Sequence, residues 1–547
     1  MRVSSLLLSA LLALFLTACG QNEEASPAAA DQPAVDSTAT QASADTGNSA
    51  ETTNGIPTGR LPQTVIPQHY TVDLTMNPDE PTFSGHTEIA VKITEPVDTI
   101  WLHGKDLRVS KATLKLASGD TVPVDYQQVK DFGVVKLALP QTVQPQAATL
   151  IFDYTADFSK GLLGAYRVQE DGEWYVFTQF EPTAARMVFP SFDEPAFKTP
   201  YDITITAPAG DKVVANTPQI DSKTLDNGMV QHVYATTKPL PTYLIAFAAG
   251  PLDIVEYAAI PPNDVRDHPV PLRGVTVKGK GDQIAYALEN TAGIVKALEN
   301  YFQIPYPYQK LDIIAVPDFG AGAMENAGAI TFREVLLLIP DPENAPSWQL
   351  EAYAGVMAHE LAHQWFGNLV TMPWWNDIWL NEAFATWMAA KAVESWDPSL
   401  PVKQDIASRI SRAMGADSLA TARQIRQPIK SHHDIHNAFD GITYSKGGSV
   451  LLMFEQYLGE ETFREGIQYH LKRFANGNAD VFDFLESLSH AAGKDITPAF
   501  KTFLFQAGIP LIEFDVNCDE GKPTVTLSQS RYVPLGSTAN TDQQWKV

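Results

Sequence analysis

Two histidines one helical turn apart, with a glutamate beside the first, are the residues whose types and spacing point most directly to chemistry. His359, Glu360 and His363 form the pattern H-E-x-x-H. Neither proline nor an interior glycine interrupts residues 356–366, so this stretch is predicted to be a helix with both imidazoles on one face. Two neutral imidazoles so placed can bind one zinc ion, each at about 2.0–2.1 Å. Glu360 can reach the open coordination position without being a ligand.

A third protein ligand is needed, because a catalytic zinc site has three and leaves one position for water. The candidate is Glu382, nineteen residues after His363. Pro373 and a polar, aromatic turn lie between them, enough to reverse the chain into a second helix. A carboxylate on that helix could face the two imidazoles, so Glu382 is predicted to complete a site for one Zn²⁺ per chain.

These residues lie in longer motifs that resemble the aminopeptidase N family of zinc metallopeptidases (gluzincins). Residues 359–368 read H-E-L-A-H-Q-W-F-G-N, and Asn381-Glu382 follow at the family's spacing. Upstream, residues 322–326 read G-A-M-E-N, the exopeptidase motif of the family. Two unrelated motifs in one chain make the resemblance specific.

The resemblance extends over most of the chain, from about residue 61 to about residue 531. It includes T-Q-F-E-P at residues 178–182 and Y-S-K-G at residues 444–447. One departure is Ala383, where many members have glycine. The resemblance implies a thermolysin-like catalytic domain that follows a β-rich domain.

The resemblance also implies the catalytic residues, Glu360 and Tyr444. Glu360 would take a proton from the attacking water and pass it to the departing amine. Zinc on His359, His363 and Glu382 would lower the pKa of its water to about 7. Tyr444 matches the family's transition-state tyrosine, and a phenol suits the role as a neutral hydrogen-bond donor to the developing oxyanion.

An exopeptidase must also recognise a free amino terminus. An ammonium group requires fixed carboxylates, because desolvating a cation without a partner is unfavourable. By the resemblance, Glu325 has that task, Glu181 lies beside it, and small neighbours let the substrate backbone approach. Asn381 is a candidate to orient the ligands. The implied substrate-binding residues are Glu181, Gly322, Ala323, Met324, Glu325 and Asn326.

Hydropathy patterns predict the elements that position these residues. Short alternating apolar runs, broken by Pro, Gly, Asp and Asn, predict an antiparallel β-rich domain over residues 61–255. Helical spacing over residues 256–505 predicts the mixed α/β catalytic domain. Alternation returns over residues 506–547, where the resemblance implies the start of a C-terminal β-sandwich. The chain is thus predicted to be a multidomain α+β protein.

The C-terminal segment is predicted to hold two strands, around residues 512–516 and 525–527, with a third beginning at Trp545. Two or three strands with one apolar face are marginally stable alone. The expectation is therefore that the chain is truncated here or that it associates through an exposed edge.

The composition excludes several classes of protein. Of 547 residues, 44% are hydrophobic and 19% charged, unlike a disordered, collagenous or disulfide-scaffold chain. Lys and Arg number 39 against 64 acids, a formal charge of −25. Such a charge repels phosphate backbones and argues against nucleic acid as a partner. The resemblance implies instead that the partners are peptides with a free N-terminus.

The N-terminal residues predict a targeting segment. A basic start, a short apolar run and small residues are typical of a secretory signal, here residues 1–19. The run L-T-A-C ending at Cys19 resembles the lipobox of bacterial lipoproteins, which implies acylation of Cys19 and a lipid anchor in a membrane. Gly20 favours, by the same resemblance, the outer membrane facing the periplasm. The acidic residues 20–60, without aromatic side chains, predict a disordered linker.

Two other functions share parts of this pattern. A zinc metalloendopeptidase would use the same zinc helix without amine-binding carboxylates, and Glu181 and Glu325 argue against it. A non-catalytic surface-binding lipoprotein would not require the whole catalytic set. His432, His433 and His436 also cluster, but in a polar segment that is predicted to be a solvated loop and not a second metal site.

Overall fold

The computed structural model describes residues 52–518 and 523–546. The predicted signal peptide with Cys19, and the predicted linker as far as residue 51, lie outside the described residues. None of the helices in the described part of the chain is both long enough and apolar enough to cross a bilayer.

The linker predicted to run to residue 60 ends earlier, because residues 52–60 have defined structure and contacts. Thr52–Thr53 pairs with Ile56–Pro57. A Cβ on Gly59 would lie 2.7 Å from the carbonyl oxygen of Lys430, so this part of the chain packs directly against the backbone of the later domain. The Arg60 guanidinium lies 5.1 Å from the ring centroid of Trp374, a cation–π contact. These contacts anchor a segment whose polar composition predicted disorder.

The N-terminal part consists mainly of antiparallel strands, as predicted. In Val65–Met76, alternate side chains including Tyr70, Val72 and Leu74 are buried in the core. This strand runs parallel to Tyr201–Pro208 and antiparallel to its other neighbour. The eight-stranded sheet has the order Gln219–Thr224, Met229–Tyr234, Tyr201–Pro208, Val65–Met76, Thr82–Ile93, Gln146–Asp157, Arg108–Leu116 and Thr121–Pro123.

Two smaller sheets complete this part, and one of them leads to the candidate site. Its strand Glu173–Gln179 ends two residues before Glu181. The four-stranded sheet has the order Gly164–Glu170, Glu173–Gln179, Phe247–Gly250 and Lys212–Ala215, and the three-stranded sheet the order Val97–His103, Val134–Val143 and Asp125–Gln128.

The catalytic part begins with a five-stranded sheet. Leu252–Ile260 pairs with Val270–Val277, so the predicted boundary at residue 255 falls inside a strand of this sheet. The change of sheet comes at about Gly250, where a φ of +145° redirects the chain. At the other side, the short strand Ala323–Met324 is an edge. The order is Leu252–Ile260, Val270–Val277, Leu311–Val316, Ala329–Arg333 and Ala323–Met324.

Helices form the rest of the catalytic part, and two of them carry the predicted metal ligands. Ser347–His363 is named the histidine helix and Trp379–Trp396 the glutamate helix. The histidine helix ends at His363, three residues before the predicted end. The other α-helices are Ala285–Phe302, Glu334–Leu337, Val402–Asp417, His432–Ile435, Gly447–Leu458, Glu460–Arg473, Val481–Ala492 and Thr497–Leu504.

The C-terminal segment forms the two predicted strands as a hairpin, Pro510–Asn517 with Thr524–Arg531. Phe514 pairs with Leu527, and their exposed fractions are 61% and 65%. The third predicted strand is absent from the described residues up to 546, because the indole of Trp545 is buried against the helical core instead.

Candidate active site

The three predicted metal ligands converge on one point. His363 Nε2 lies 3.0 Å from His359 Nε2, and Glu382 Oε2 lies 3.3 and 3.4 Å from those two nitrogens. Ligands at about 2.0–2.1 Å in tetrahedral directions are separated by about 3.3 Å, so the three atoms have the spacing of a zinc site. The histidine and glutamate helices pack together and hold them there.

Hydrogen bonds behind the ligands set their orientation. His363 Nδ1 lies 3.0 Å from the carbonyl oxygen of Phe366, so that nitrogen donates and Nε2 faces the metal position. A Cβ on Gly367, whose φ is +118°, would come within 3.2 Å of both His363 Nδ1 and Asn381 Nδ2. Asn381 donates instead to the Tyr243 hydroxyl at 3.2 Å. That hydroxyl in turn donates to the carbonyl oxygen of Gly367 at 3.4 Å, so Asn381 is linked through Tyr243 to the loop after the histidine helix.

The charges of the three predicted ligands depend strongly on one another. Burial alone would raise the pKa of Glu382, but His363 and the hydrogen bonds from both histidines outweigh it and hold that pKa at about 2. Burial opposes protonation of His363, whereas Glu325 and Glu382 raise its pKa to about 10. Near pH 7 Glu382 is therefore anionic and His363 is protonated, so a metal ion bound here would displace a proton from His363.

Glu360 lies in the main cavity, next to the three predicted metal ligands. It is buried, it lines the main cavity, and its Oε2 has no hydrogen-bond partner among the described residues. Burial raises its pKa well above the ordinary value, and Glu325 and Glu382 add to this, whereas His363 opposes it. A carboxylate whose pKa is raised is a stronger base than an ordinary glutamate.

A second group of carboxylates lies next to the metal ligands. Oxygen atoms of Glu181, Glu325 and Glu382 all lie within 4.8 Å of one another. Glu181 Oε1 and Glu325 Oε1 are buried without a hydrogen-bond partner in the described part of the chain. Burial, then the neighbouring glutamates, raises the pKa of Glu181 well above its ordinary value, and burial raises that of Glu325. The cationic group in contact with this cluster is His363, whose Nδ1 lies 3.8 Å from Glu325 Oε1.

The main chain of Glu325 is held by the histidine helix and its following loop. Gln364 Nε2 and Asn368 Nδ2 donate to the Glu325 carbonyl at 3.0 and 2.8 Å. Both donors lie in the extended zinc motif, but sequence reasoning assigned them no task. The two family motifs are therefore one structural unit.

The remaining predicted substrate residues divide into two groups. Gly322, Ala323 and Met324 line the cavity, along the edge strand Ala323–Met324. Asn326 does not line it. Its side chain donates to Thr331 Oγ1 at 3.1 Å, so its place in the predicted substrate-binding set is corrected to support of the strand behind.

Tyr444 is presented by a π-turn, Ile442–Lys446, that the sequence did not reveal. Its ring stacks beside that of His359, with centroids 6.1 Å apart and planes 22° apart. Burial, followed by the surrounding glutamates, raises the pKa of Tyr444 well above its ordinary value, so the phenol stays protonated. A Cβ on Gly447 would lie 2.6 Å from Ala383 Cβ, so the glycine after the turn accommodates the alanine that departs from the family pattern.

These groups share one cavity of about 1280 Å³, lined from both parts of the molecule. Gln179, which sequence reasoning left without a role, lines it as well. Its Nε2 lies 3.3 Å from Met324 Sδ. Its position in the T-Q-F-E-P run was the signal that could have identified it.

The prediction that residues 432–436 form a solvated loop is wrong for His432. His432 is buried at the start of the helix His432–Ile435, stacks on His103 with centroids 5.7 Å apart, and contacts the Arg186 guanidinium. His432 packs against the N-terminal part, whereas His433 and His436 are exposed. Among the described residues, the clusters that could hold a metal all include Glu382.

Comparison with known proteins agrees with the two parts of the fold. Residues 66–244 match the peptidase M1 N-terminal domain, and residues 286–503 match the peptidase family M1 domain. The first range covers most of the β-rich part and the second holds all three candidate metal ligands.

Several aminopeptidases are similar along most of this chain. The puromycin-sensitive aminopeptidase of Caenorhabditis elegans is 34% identical over 501 residues, 89% of this chain and 52% of the relative. Endoplasmic reticulum aminopeptidase 1 of Rattus norvegicus is 35% identical over 454 residues, 81% and 48%. Mitochondrial aminopeptidase 2 of Saccharomyces cerevisiae is 36% identical over 486 residues, 86% and 49%. The chain spans about half the length of these relatives, and in both of its matched domains it belongs to the M1 family of peptidases.

Proposed function

We propose that this chain is a zinc-dependent aminopeptidase that removes the N-terminal residue from peptides. The observation that carries the proposal is the pair of carboxylates of Glu181 and Glu325, each with one buried oxygen that has no hydrogen-bond partner among the described residues, next to three side chains with zinc-ligand spacing. The named aminopeptidases that this chain resembles support the same activity.

The residues that would hold the metal are His359, His363 and Glu382. When bound, zinc supplies Lewis acidity toward a water molecule and toward the carbonyl of the bond to be cleaved. Glu360 accepts the proton that this water loses as its oxygen bonds to the carbonyl carbon. It then delivers the proton to the nitrogen of the departing amine as the carbon–nitrogen bond breaks.

Tyr444 donates a hydrogen bond to the carbonyl oxygen as that oxygen gains negative charge. A neutral donor is well suited because it stabilises the developing charge without pairing permanently with the glutamates around it. The raised pKa of Tyr444 keeps the proton on the phenol throughout the working pH range.

Glu181 and Glu325 bind the α-ammonium group of the substrate. A cation placed between them satisfies their free oxygens and offsets the effects of burial and of neighbouring carboxylates, which raise their pKa values. This contact fixes the first residue of the peptide in the cavity, so that the first peptide bond reaches Glu360 and Tyr444. Specificity for the N-terminus of the peptide therefore follows from the attraction between its ammonium group and these two carboxylates.

The test is a panel of aminoacyl fluorogenic amides, each with a free and an N-acetylated amine, assayed with the purified full chain. We expect release from the free amides, its loss after chelation and its return with Zn²⁺. Cleavage of internally quenched, N-acetylated peptides would indicate an endopeptidase. Stoichiometric zinc without any turnover would indicate a non-catalytic binding protein.

We further propose that Cys19 carries a lipid that anchors the protein in a membrane, facing the periplasm from the outer membrane. The support is the lipobox resemblance at the end of the predicted signal peptide. Mass spectrometry of the N-terminal peptide from the membrane fraction should show acylated Cys19, and Cys19→Ala should abolish it. An unmodified Cys19 in mature protein would refute the anchor.

A further inference from the structure

The π-turn that carries Tyr444 is held by one arginine from outside it. Arg423 Nε donates to Asp440 Oδ2 at 3.0 Å, and Nη2 donates to Asp440 Oδ1. Nη2 also donates to Thr443 Oγ1 at 2.7 Å and to the carbonyl of Ala438 at 3.1 Å. The planar guanidinium thus joins the chain before the turn to the turn itself, which a lysine ammonium could not do with the same geometry.

Asp440 passes this restraint to the backbone of the turn. Its Oδ1 accepts hydrogen bonds from the amide groups of Ile442 at 2.8 Å and Thr443 at 3.3 Å. Its own carbonyl accepts the amide of Tyr444 at 3.1 Å. Asp440 therefore caps the turn and fixes the point from which Tyr444 projects.

Such support matters because this π-turn is a single turn of π-helix, a rare backbone form that is frequent at functional sites. The Tyr444 ring must keep its place beside His359, where the ring centroids are 6.1 Å apart. Arg423 and Asp440 are not among the residues that line the cavity, so any influence on the reaction passes through the turn.

We propose that Arg423 and Asp440 form a positioning pair that sets the location of Tyr444 for transition-state stabilisation. The inference rests on the proposed function and extends it to residues outside the cavity. An error of about 1 Å in a catalytic group can cost on the order of 100-fold in rate, so the pair influences turnover without touching substrate.

The experiment is a double-mutant cycle of Arg423→Gln and Tyr444→Phe in the full chain, with kcat, KM and zinc content measured for each protein. We expect Arg423→Gln to lower kcat by about 10- to 100-fold, with KM and zinc content unchanged. In the Tyr444→Phe background it should lower kcat by less than about threefold, because its route to the reaction is gone.

Arg273→Gln is the matched control. Arg273 also grips a carboxylate with two nitrogens, Nε and Nη2, at 2.8 and 2.7 Å from Asp312, but on the sheet of the catalytic part. It should leave kcat unchanged. If Arg423→Gln does not fold, Asp440→Asn takes its place in the cycle, because an amide oxygen can still accept the Ile442 N–H.

Equal losses of kcat in the wild-type and Tyr444→Phe backgrounds, or an unchanged kcat in Arg423→Gln, would overturn the positioning role. A wild-type protein that releases no product from any aminoacyl amide would instead contradict the proposed function.

Discussion

The metal-binding and amine-binding sides of the site are built in different ways. The metal side comes from two consecutive helices, and its charges compensate one another, as the pKa of about 2 for Glu382 beside His363 shows. The amine side joins Glu181 from the N-terminal part with Glu325, which follows an edge strand, and each has one oxygen atom without a hydrogen-bond partner among the described residues. The negative charges of the metal side are paired within its own helices, whereas those of the amine side are offset only in part, by His363 at 3.8 Å from Glu325.

The largest expected effect is on kcat, from a substitution on the metal side that should leave zinc binding intact. Glu360→Gln should lower kcat by about 10²- to 10⁴-fold, because the amide cannot accept the proton of the attacking water. Zinc content, measured by atomic spectroscopy, should remain one per chain, since Glu360 is not one of the three converging ligands. A variant that still turns over at the wild-type rate would refute the assigned base.

The next effect isolates the amine side. Glu325→Gln should lower kcat/KM for free aminoacyl amides by about 10- to 100-fold, the order expected from losing a hydrogen bond to a charged group. Zinc content should not change. The preference for free over N-acetylated substrates should fall by the same factor, and an undiminished preference would show that Glu325 does not bind the amine.

The pH profile tests the charge of the amine side. The pKa values of Glu181 and Glu325 are raised, so the attraction for an ammonium group is present above those values and lost as pH falls through them. The acid limb of kcat/KM should therefore lie above pH 4.5, the ordinary glutamate value. In Glu325→Gln the limb should move to lower pH, because Glu181 loses a neighbouring charge. If the acid limb does not move, its pKa does not belong to Glu181 or Glu325.

The smallest effect concerns stability, and it should have opposite signs on the two sides. In metal-free protein at pH 7, Glu325→Gln should raise the free energy of unfolding by about 0.5–2 kcal/mol, because a raised folded-state pKa means that the buried charge is destabilising above pH 4.5. Glu382→Gln should lower it by roughly 1–3 kcal/mol, because a depressed pKa contributes stability above pH 4.5 that is lost as pH falls toward about 2.

Urea denaturation with chelator present measures both changes. The gain in Glu325→Gln should vanish below pH 4.5, where the wild-type carboxyl is protonated in both states. Changes of the same sign in the two variants would contradict the contrast between the sides.

The convergence of His359, His363 and Glu382 was predictable from the sequence, because these residues lie close together along the chain. The four-residue spacing of His359 and His363 puts both on one face of any helix, and a nearby second helix supplies Glu382. The alternating strands and the later helices were likewise readable from period alone. Patterns of this kind need no knowledge of distant contacts.

Predictions failed where a distant contact decides. Residues 52–60 look like a linker by composition, yet the Trp374 ring and the Lys430 backbone hold Gly59 and Arg60 in place. His432 has a polar neighbourhood in sequence but is buried against the N-terminal part. The histidine helix ends at His363, and the side chains of Gln364 and Asn368, which follow it, donate hydrogen bonds to the carbonyl oxygen of Glu325.

By itself, then, the sequence determined which residue types could bind zinc, accept a proton and attract an ammonium group, and which three side chains converge at the predicted metal site. Only the tertiary structure decided which carboxylates lie together, that Asn326 does not line the cavity, and that Arg423 and Asp440 hold the turn of Tyr444. Periodicity fixes the relation between residues a few positions apart, whereas groups far apart in the chain meet only through packing of whole elements.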